Sequence, residues 1–352
     1  MNQQNQENQD NQSTDETQIQ IIAGKGMESI AQKTYAILTE NEENKQKFGY
    51  TEVSYTQFAN NEIKPKIPVP IRQKDVYLFH AGFHPDPNQG MMELLLTNDA
   101  ISRASAKSIT LVLPYMPYLR QDRKDEPRVP ISAKLMADLV QTNSKVERIL
   151  TMDLHCDQAQ GFYQIPVDNL YGSLVHSAYF KEKYDNDFSN LIVMSPDHGG
   201  VKRARRFART LDESVPVYMI DKRRTGANQC EVMNFVGGSV KGKDIIIFDD
   251  MIDTGGSMLA AYKVAKERGA NKVYACVTHG LFSTKKGAQQ STEERFRDEG
   301  LEVVIAETIP LSQEYKEQNK NWLTALPIEG LLEKAIYQAS KVGGSISSLF
   351  EE

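Results

Sequence analysis

Short apolar runs of strand length alternate with longer helix-like segments through most of this 352-residue chain. Strands are predicted at residues 75–79, 108–113, 148–152, 191–195, 215–220, 244–248, 272–277 and 301–306, and helices at 90–106, 130–141, 201–210 and 256–268. Strand-like runs separated by helices of this length are typical of parallel sheets covered by helices. The number of units exceeds one sheet of usual size, so we predict an α/β protein with two domains.

The ends and the middle of the chain set the predicted domain limits. Residues 1–18 form a Gln/Asn-rich tract that buries too little apolar surface to order itself, so we predict a disordered tail. The stretch 166–190 is predicted as the least structured part near the middle. We therefore place one domain at 19–172 and a second at 173–329. Residues 330–352 are expected to pack back on the first domain.

Charge and cysteine content exclude several classes of protein. The chain has 41 Lys and Arg residues against 47 Asp and Glu, a net charge of −6, so a broad electrostatic contact with nucleic acid is not expected. Cys156, Cys230 and Cys276 are far apart and form no CxxC pair, which argues against a disulfide framework or a zinc cluster. No apolar run is long enough to span a bilayer, and the N-terminus has no signal-peptide pattern. We therefore predict a cytoplasmic protein, in a reducing compartment, with neither a membrane nor a nucleic acid as partner.

The segment 245–257 carries the strongest chemical pattern in the sequence. An apolar run leads directly into Asp249 and Asp250, and a loop of small residues follows before a predicted helix. In an open α/β sheet, ligands bind at the carboxyl ends of the strands. Loop N–H groups, hydroxyls and a helix N-terminus suit a phosphate monoester, and the two carboxylates suit neighbouring sugar hydroxyls. The alternative is a strand-to-helix turn whose acids only cap the helix.

Two further segments with polar side chains follow predicted strands. Arg120 and Lys124 have the charge to neutralise a polyphosphate, although a basic loop is also often a solvated charge run. His155 follows the strand at 148–152 and fits a ligand-binding role and a structural hydrogen-bonding role equally well.

Other segments are ambiguous when each is taken alone. Asp197 precedes two glycines, a pattern that suits Mg²⁺ but also a glycine-rich turn with a capping Asp. The three bases at 222–224 fit a solvated surface, and Phe58 fits a core residue. The serine-rich end at 345–350 fits a frayed terminus.

Together these segments resemble the ribose-phosphate pyrophosphokinases, or phosphoribosyl diphosphate (PRPP) synthetases, of the phosphate-dependent class. The resemblance runs from about Ile21 to Phe350 and includes the PRPP motif at 245–257, the ATP-contacting segment from Pro114 and the segment around His155. It implies two phosphoribosyltransferase-like domains, each a mostly parallel sheet flanked by helices. It also implies transfer of the β,γ-diphosphoryl group of Mg-ATP to the anomeric hydroxyl of ribose 5-phosphate, with PRPP and AMP as products.

The resemblance assigns roles to individual residues of this chain. ATP contacts are implied for Phe58, Asn60, Glu62, Arg120, Gln121, Asp125 and His155. Ribose 5-phosphate contacts are implied for Asp197, Asp249, Asp250, Asp253, Thr254, Gly255, Gly256 and Ser257. Mg²⁺ binding is implied for His155 and Asp197, and Lys222 and Arg224 are the implied catalytic cations. Thr225 and Gly226 stand where proline and a further base are common in the family, which leaves the turnover rate open.

The resemblance also implies an assembly and its regulation. The hairpin around Phe58 is expected to reach the site of a neighbouring subunit, so we predict a homo-oligomer, in the form of a hexamer. Inorganic phosphate and ADP are the implied effectors, at a site formed by Arg72, Arg128, Ser345, Ser347 and Phe350. The polar segment 284–297 is an apparent insertion that is expected to extend a surface loop.

Two other functions fit part of the sequence. A type I phosphoribosyltransferase, which consumes PRPP, would use the segment 245–257 but leave residues 120–124 and His155 without a role. A catalytically silent relative that regulates an active synthetase is expected to lack the ATP segment or the loop cations, and this chain retains both sets.

Overall fold

The computed structural model describes residues 18–223 and 232–350 of the chain. The described strands form two large, mostly parallel sheets with helices on both faces, and a separate two-stranded hairpin. The predicted tail, residues 1–18, lies outside the described residues except for Gln18.

The N-terminal half of the chain builds the first large sheet. Its elements are β1 (Ile19–Ala23), α1 (Glu28–Leu38), α2 (Glu42–Lys47), β2 (Phe48–Glu52), β3 (Ser54–Gln57), β4 (Ile63–Lys66), β5 (Asp75–Phe79), α3 (Pro87–Arg103), β6 (Ser108–Leu113), α4 (Ser132–Gln141), β7 (Val146–Met152), a 3₁₀ helix (Asp157–Phe162) and β8 (Val167–Leu170). Six of the strands lie in the order β2-β1-β5-β6-β7-β8, and each neighbouring pair is parallel. β3 and β4 form the antiparallel hairpin.

The C-terminal half builds the second large sheet. Its elements are α5 (Ser173–Lys183), β9 (Leu191–Ser195), α6 (Val201–Leu211), β10 (Val217–Arg223), β11 (Val232–Val236), β12 (Asp244–Ile252), α7 (Gly256–Glu267), β13 (Val273–Gly280), α8 (Thr292–Asp298), β14 (Glu302–Ala306), α9 (Gln313–Asn319), β15 (Leu323–Leu326), α10 (Glu329–Ala339) and a second 3₁₀ helix (Ser347–Phe350). The order is β11-β10-β9-β12-β13-β14-β15, and β11 is antiparallel to its neighbour.

Apolar side chains on both faces of the central strands account for this architecture. β13, with the sequence Val-Tyr-Ala-Cys-Val-Thr-His-Gly, is buried along its whole length, and β9 is as well. Strands that are buried on both faces need helices on both sides, which is the usual arrangement of parallel sheets. The predicted α/β class, with mostly parallel sheets flanked by helices, is therefore confirmed.

The C-terminal helix α10 returns to the N-terminal half and packs against α1. Leu332 and Ile336 share a buried cluster with Ile30 and the strands of the first sheet. At the start of the helix, the carboxylate of Glu329 is buried, and its Oε1 atom lies 3.0 Å from Nζ of Lys33. The two ends of the described chain thus complete one face of the same core.

The structure corrects two sequence-based expectations. The stretch predicted as least structured, 166–190, contains β8 and α5. The polar segment 284–297, predicted as an extended surface loop, is a loop only as far as Ser291, where a capping box between Ser291 and Glu294 begins α8. Among the described helices, none combines the length and apolar character that a membrane span requires.

Candidate active site

The central strand of the second sheet carries the paired carboxylates. β12 extends four residues beyond its predicted end, so Asp249 and Asp250 lie within the strand and not after it. The loop that follows turns sharply at Gly255, whose φ of +67° is a left-handed conformation that favours glycine, and α7 begins at Gly256. A Cβ atom at Gly255 would lie 2.3 Å from Cζ of Phe296 on α8, so close packing also requires glycine there.

A buried arginine that the sequence analysis did not identify holds both carboxylates. Nη1 of Arg203 donates to Oδ1 of Asp249 at 2.6 Å and to Oδ1 of Asp250 at 3.3 Å. Nη2 of the same side chain donates to the carbonyl oxygen of His155 at 3.3 Å. Arg203 is one of several basic residues on α6, and nothing in the sequence distinguishes it from the exposed ones.

His155 joins the two halves of the molecule at this point. Its Nδ1 atom donates to Oδ2 of Asp250 at 2.7 Å, and this hydrogen bond raises the pKa of the imidazole, against the effect of its burial. The sequence left a ligand-binding and a structural role equally open, and the structure shows a hydrogen bond to the predicted ribose site. Among the described residues, the Nε2 atom of His155 has no hydrogen-bond partner, and the residue lines a cleft together with Asp249 and Asp250.

The two adjacent carboxyl groups differ in pKa because their neighbours differ. Burial and the charge of Asp250 raise the pKa of Asp249 well above its usual range. Burial also acts to raise the pKa of Asp250, but the hydrogen bond from His155 and the charge of Arg203 outweigh burial and lower it. One carboxyl group therefore stays ionised while its neighbour takes up a proton more readily. Such a pair can both accept hydrogen bonds from sugar hydroxyls and donate to them.

A second contact across the cleft involves the basic loop after β6. Nη1 of Arg120 donates to Oδ2 of Asp253 at 2.6 Å, which connects this loop to the small-residue loop before α7. Arg120 and His155 line two adjoining cavities. One, of about 530 Å³, also contains Gln121 and Asp125. The other, of about 540 Å³, contains all eight residues that were predicted to contact ribose 5-phosphate, from Asp197 to Ser257.

Close backbone packing places Asp197 beside the carboxylates of β12. Its Oδ1 atom accepts a hydrogen bond of 3.0 Å from the backbone N–H of Gly200. A Cβ atom at Gly200 would lie 2.7 Å from Oγ of Ser195 and 3.3 Å from Oδ1 of Asp249. The glycine therefore allows the start of α6 to approach the end of β12, so that Asp197 and Asp249 share one cavity wall.

A buried polar network behind the cleft fixes the two halves relative to each other. Oδ2 of Asp153 accepts hydrogen bonds from Oγ1 of Thr278 at 2.5 Å and from the backbone N–H of Gly172 at 2.9 Å. Nε2 of His279 donates to the carbonyl oxygen of Met152 at 3.1 Å, and burial lowers the pKa of this imidazole, which favours its neutral form. Because Asp153 lies two residues before His155, this network sets the position of the cleft histidine.

Three predicted ATP contacts lie away from these cavities, at the tip of the hairpin. Phe58 is 47% exposed there. Oδ1 of Asn60 accepts from the backbone N–H of Glu62 at 3.2 Å, and the carbonyl oxygen of Glu62 accepts from the backbone N–H of Phe58 at 2.8 Å. The reading of Phe58 as a core residue is therefore wrong. In the described part of the chain, the cavities lined by Arg120 and His155 contain no residue of the hairpin.

The predicted effector residues are spread over the N-terminal half. Arg72 lines a cavity beside β2 at one edge of the first sheet, and Arg128 lies in the loop before α4. The ring of Phe350 lies 5.0 Å from the ring of Tyr171, just after β8 at the opposite edge. Ser345 and Ser347 are exposed near this end of the chain. Within the described residues, the cavity lined by Arg72 contains neither Arg128 nor any residue of 345–350.

The two predicted catalytic cations lie at the limit of the described residues. The backbone of Lys222 belongs to β10 and pairs with Met233. Arg224 lies outside the described residues, as do Thr225 and Gly226. Within 18–223 and 232–350, no group of three or more His, Cys, Asp or Glu side chains is arranged to hold a metal ion.

Two family models match the chain. The model for the N-terminal domain of ribose phosphate pyrophosphokinase covers residues 19–143, and that for the phosphoribosyl transferase domain covers residues 174–314. The first match includes four of the six strands of the first large sheet, and the second includes six of the seven strands of the second.

Named relatives and a solved structure agree with these matches. The ribose-phosphate pyrophosphokinase of Campylobacter jejuni is 43% identical over 295 residues, which are 84% of this chain and 89% of the relative. That of Wolinella succinogenes is 45% identical over the same shares. The crystal structure of phosphoribosylpyrophosphate synthetase from Mycobacterium smegmatis has a TM-score of 0.78 at 35% identity, and the match covers 91% of this chain and 98% of that one. The chain belongs to the ribose-phosphate pyrophosphokinase family.

Proposed function

We propose that the protein transfers the β,γ-diphosphoryl group of ATP to the anomeric hydroxyl of ribose 5-phosphate. The oxygen of that hydroxyl forms a bond to the β-phosphorus, the bond from the β-phosphorus to the oxygen bridging it to the α-phosphorus breaks, and AMP leaves with that oxygen. The hydroxyl proton is lost to solvent or to a basic group of the site. The products are PRPP and AMP.

One observation carries this proposal, namely that Arg120 and His155 line two adjoining cavities. One cavity has the arginine, amide and carboxylate groups that suit a nucleotide, and the other has the paired carboxylates and the small-residue loop. Two substrates bound in adjoining cavities have their reacting groups held close, which is how an enzyme lowers the entropic cost of a two-substrate reaction.

The roles within the ribose cavity follow from the chemistry of its lining. The loop from Asp253 to Ser257 offers backbone N–H groups and hydroxyls at the start of α7, where a 5-phosphate is stabilised by the partial positive charge of the helix end. Asp249 and Asp250 accept and donate hydrogen bonds to the ribose 2- and 3-hydroxyls. Arg203 holds both carboxylates in place for this contact.

The donor set fits a magnesium ion that is bound mainly through substrate. Mg²⁺ prefers oxygen ligands, keeps several waters and takes few protein ligands when phosphates are available. Asp197 offers the carboxylate oxygen that the ion prefers, and His155 offers Nε2 only while its imidazole is neutral; we assign the ion to these two residues. When bound with ATP, the ion would neutralise phosphate charge. Lys222 and Arg224 are proposed to stabilise the charge that develops during transfer.

An assembly of several copies is proposed because two sets of predicted residues do not meet their expected partners in one chain. The hairpin with Phe58, Asn60 and Glu62 exposes its ring and lines neither of the two cavities, as expected if it contacts ATP in a neighbouring subunit. In the part of the chain that the structure describes, the cavity lined by Arg72 contains no residue of 345–350, as expected if a phosphate or ADP site takes residues from more than one copy. We propose a hexamer; the cytoplasmic location stays a prediction.

The test is a product analysis with pure protein, Mg²⁺, ATP and ribose 5-phosphate, with and without inorganic phosphate. Phosphorus NMR should show AMP and PRPP in equal amounts and no ADP. Asp250→Asn should lower kcat/KM by about 100-fold or more, whereas Asp99→Asn, an exposed Asp on α3, should have no effect. ADP as product would contradict diphosphoryl transfer. Release of diphosphate from PRPP with a nucleobase would favour the phosphoribosyltransferase, and the absence of any product would favour the silent relative.

A further inference from the structure

A lysine from the polar segment after β13 lines the ribose cavity. Lys285 is exposed, and it belongs to the wall that also contains Asp249, Asp250 and the loop from Asp253. No motif in the sequence assigns a role to this residue. Its neighbour Lys286 is equally exposed but does not line the cavity.

The charge balance of the cavity gives Lys285 its significance. Four Asp side chains line this space, namely Asp197, Asp249, Asp250 and Asp253. Arg203 pairs with Asp249 and Asp250 from outside the lining, and the described lining includes two Lys or Arg side chains, Arg120 and Lys285. Arg120 is already paired with Asp253 at 2.6 Å. In the described part of the chain, Lys285 forms no salt bridge within 4.0 Å. A phosphate dianion that enters beside Asp253 therefore needs a cation, and Lys285 is available.

The local structure holds Lys285 close to the small-residue loop. Two residues before it, the carbonyl oxygen of Ser283 accepts a hydrogen bond of 2.8 Å from Oγ1 of Thr292 at the start of α8. α8 is itself fixed to the loop, because Nη2 of Arg295 donates to the carbonyl oxygen of Thr254 and Phe296 packs on Gly255. A turn closed by the backbone N–H of Ala288 and the carbonyl oxygen of Lys285, at 2.9 Å, shapes the segment between these anchors.

We infer that Lys285 binds the 5-phosphate of ribose 5-phosphate and sets the preference for a phosphorylated sugar. The inference rests on the proposed function of the same site and extends it to the substrate's phosphate group. The loop N–H groups supply direction but no net charge, whereas an ammonium supplies a compact positive charge that tolerates varied geometry. Because Lys285 is exposed to solvent, its electrostatic contribution to binding of the 5-phosphate weakens with added salt.

The variants Lys285→Ala and Lys285→Arg test this role, with Lys286→Ala as the matched control. Lys285→Ala should raise KM for ribose 5-phosphate about tenfold at low salt, and leave kcat and KM for ATP unchanged. Lys285→Arg should retain most of the affinity, and Lys286→Ala should match the unmodified protein. Added salt should weaken binding of ribose 5-phosphate less in Lys285→Ala than in the unmodified protein. Equal KM values in the Lys285→Ala and Lys286→Ala variants would overturn the inference.

Calorimetric titration separates a failure of this inference from a failure of the proposed function. If the unmodified protein makes no PRPP, the proposed function fails, and titration with ribose 5-phosphate and with unphosphorylated ribose still tests Lys285. Loss of affinity for the phosphorylated sugar alone in Lys285→Ala supports the inference. Equal affinity in that variant, or no binding to the unmodified protein, overturns it.

Discussion

Replacement of Arg203 by methionine should destabilise the C-terminal half and weaken the binding of ribose 5-phosphate. The side chain of Arg203 is only 17% exposed, and it donates to Asp249, to Asp250 and to the carbonyl oxygen of His155. Methionine has similar length and no charge, so the substitution removes these bonds and leaves little empty space. Two buried carboxylates then remain beside each other without their main counter-charge.

The magnitude follows from the distances. At 2.6 Å and 3.3 Å, and with an effective dielectric constant of about 20, the two attractions are each about 5–6 kcal/mol before the cost of desolvation. Removal of one partner from a buried ion pair costs about 3–5 kcal/mol. Asp249 can relieve part of this cost by taking up a proton, because its pKa is already raised. We therefore expect a loss of stability at the lower end of this range. A loss of about 3 kcal/mol corresponds to a fall in Tm of about 6–12 °C for a domain of this size.

The assay is thermal unfolding of Arg203→Met beside Arg209→Met, which removes the same charge from an exposed position of the same helix. Arg209→Met should leave Tm within about 1–2 °C, because most surface substitutions change stability by less than 0.5 kcal/mol. The double variant with Asp249→Asn should lose less than the sum of the single losses, by about 1–3 kcal/mol. Equal Tm values for the two arginine variants, or additive losses in the double variant, would refute the reasoning.

Two further substitutions test the loop and the core. Gly255→Ala should lower the free energy of unfolding by about 2–5 kcal/mol, because the backbone there is left-handed and a Cβ would lie 2.3 Å from Phe296. Gly256→Ala should be tolerated, because a Cβ there meets nothing within 4 Å. Denaturant unfolding of both variants checks this, and equal midpoints would contradict it. Burial lowers the pKa of His176 to about 3, so the unfolded chain binds the proton first and stability is lost as pH falls below about 6.5. His176→Leu should remove about 1.4 kcal/mol per pH unit from the slope of stability between pH 6 and 4.5, and an unchanged slope would show that this imidazole is not buried in its neutral form.

The sequence predicted most of the sheet strands because they are apolar and β-branched. β5, β6 and β9 begin and end at the predicted residues. Helix α5 was missed because several of its buried positions are polar, among them Ser173, His176 and Ser177, so the apolar spacing of a helix is not visible there. That these polar positions are buried can be recognised only when the surrounding core is known.

The candidate site was predictable where its residues are contiguous in the chain. The eight residues predicted to contact ribose 5-phosphate lie in two short segments, and the structure brings both to one cavity. Arg203 was not predictable, because α6 carries several basic residues and only the fold shows which one turns inward. The bond between Asp153 and Thr278 joins residues separated by 125 positions, and no local pattern reports such a pair.

The packing of α10 on α1 has a consequence for the way the chain is made. The first helix leaves the ribosome about 300 residues before its partner, which at roughly 5–20 residues per second is a delay of about 15–60 s. During that time the apolar side chains of Ile30, Ala31 and Leu38 lack the neighbours that cover them in the finished protein. The C-terminal half can therefore complete its own sheet before α10 covers the core of the N-terminal half. A chain that stops before α10 would expose that apolar surface to chaperones and proteases.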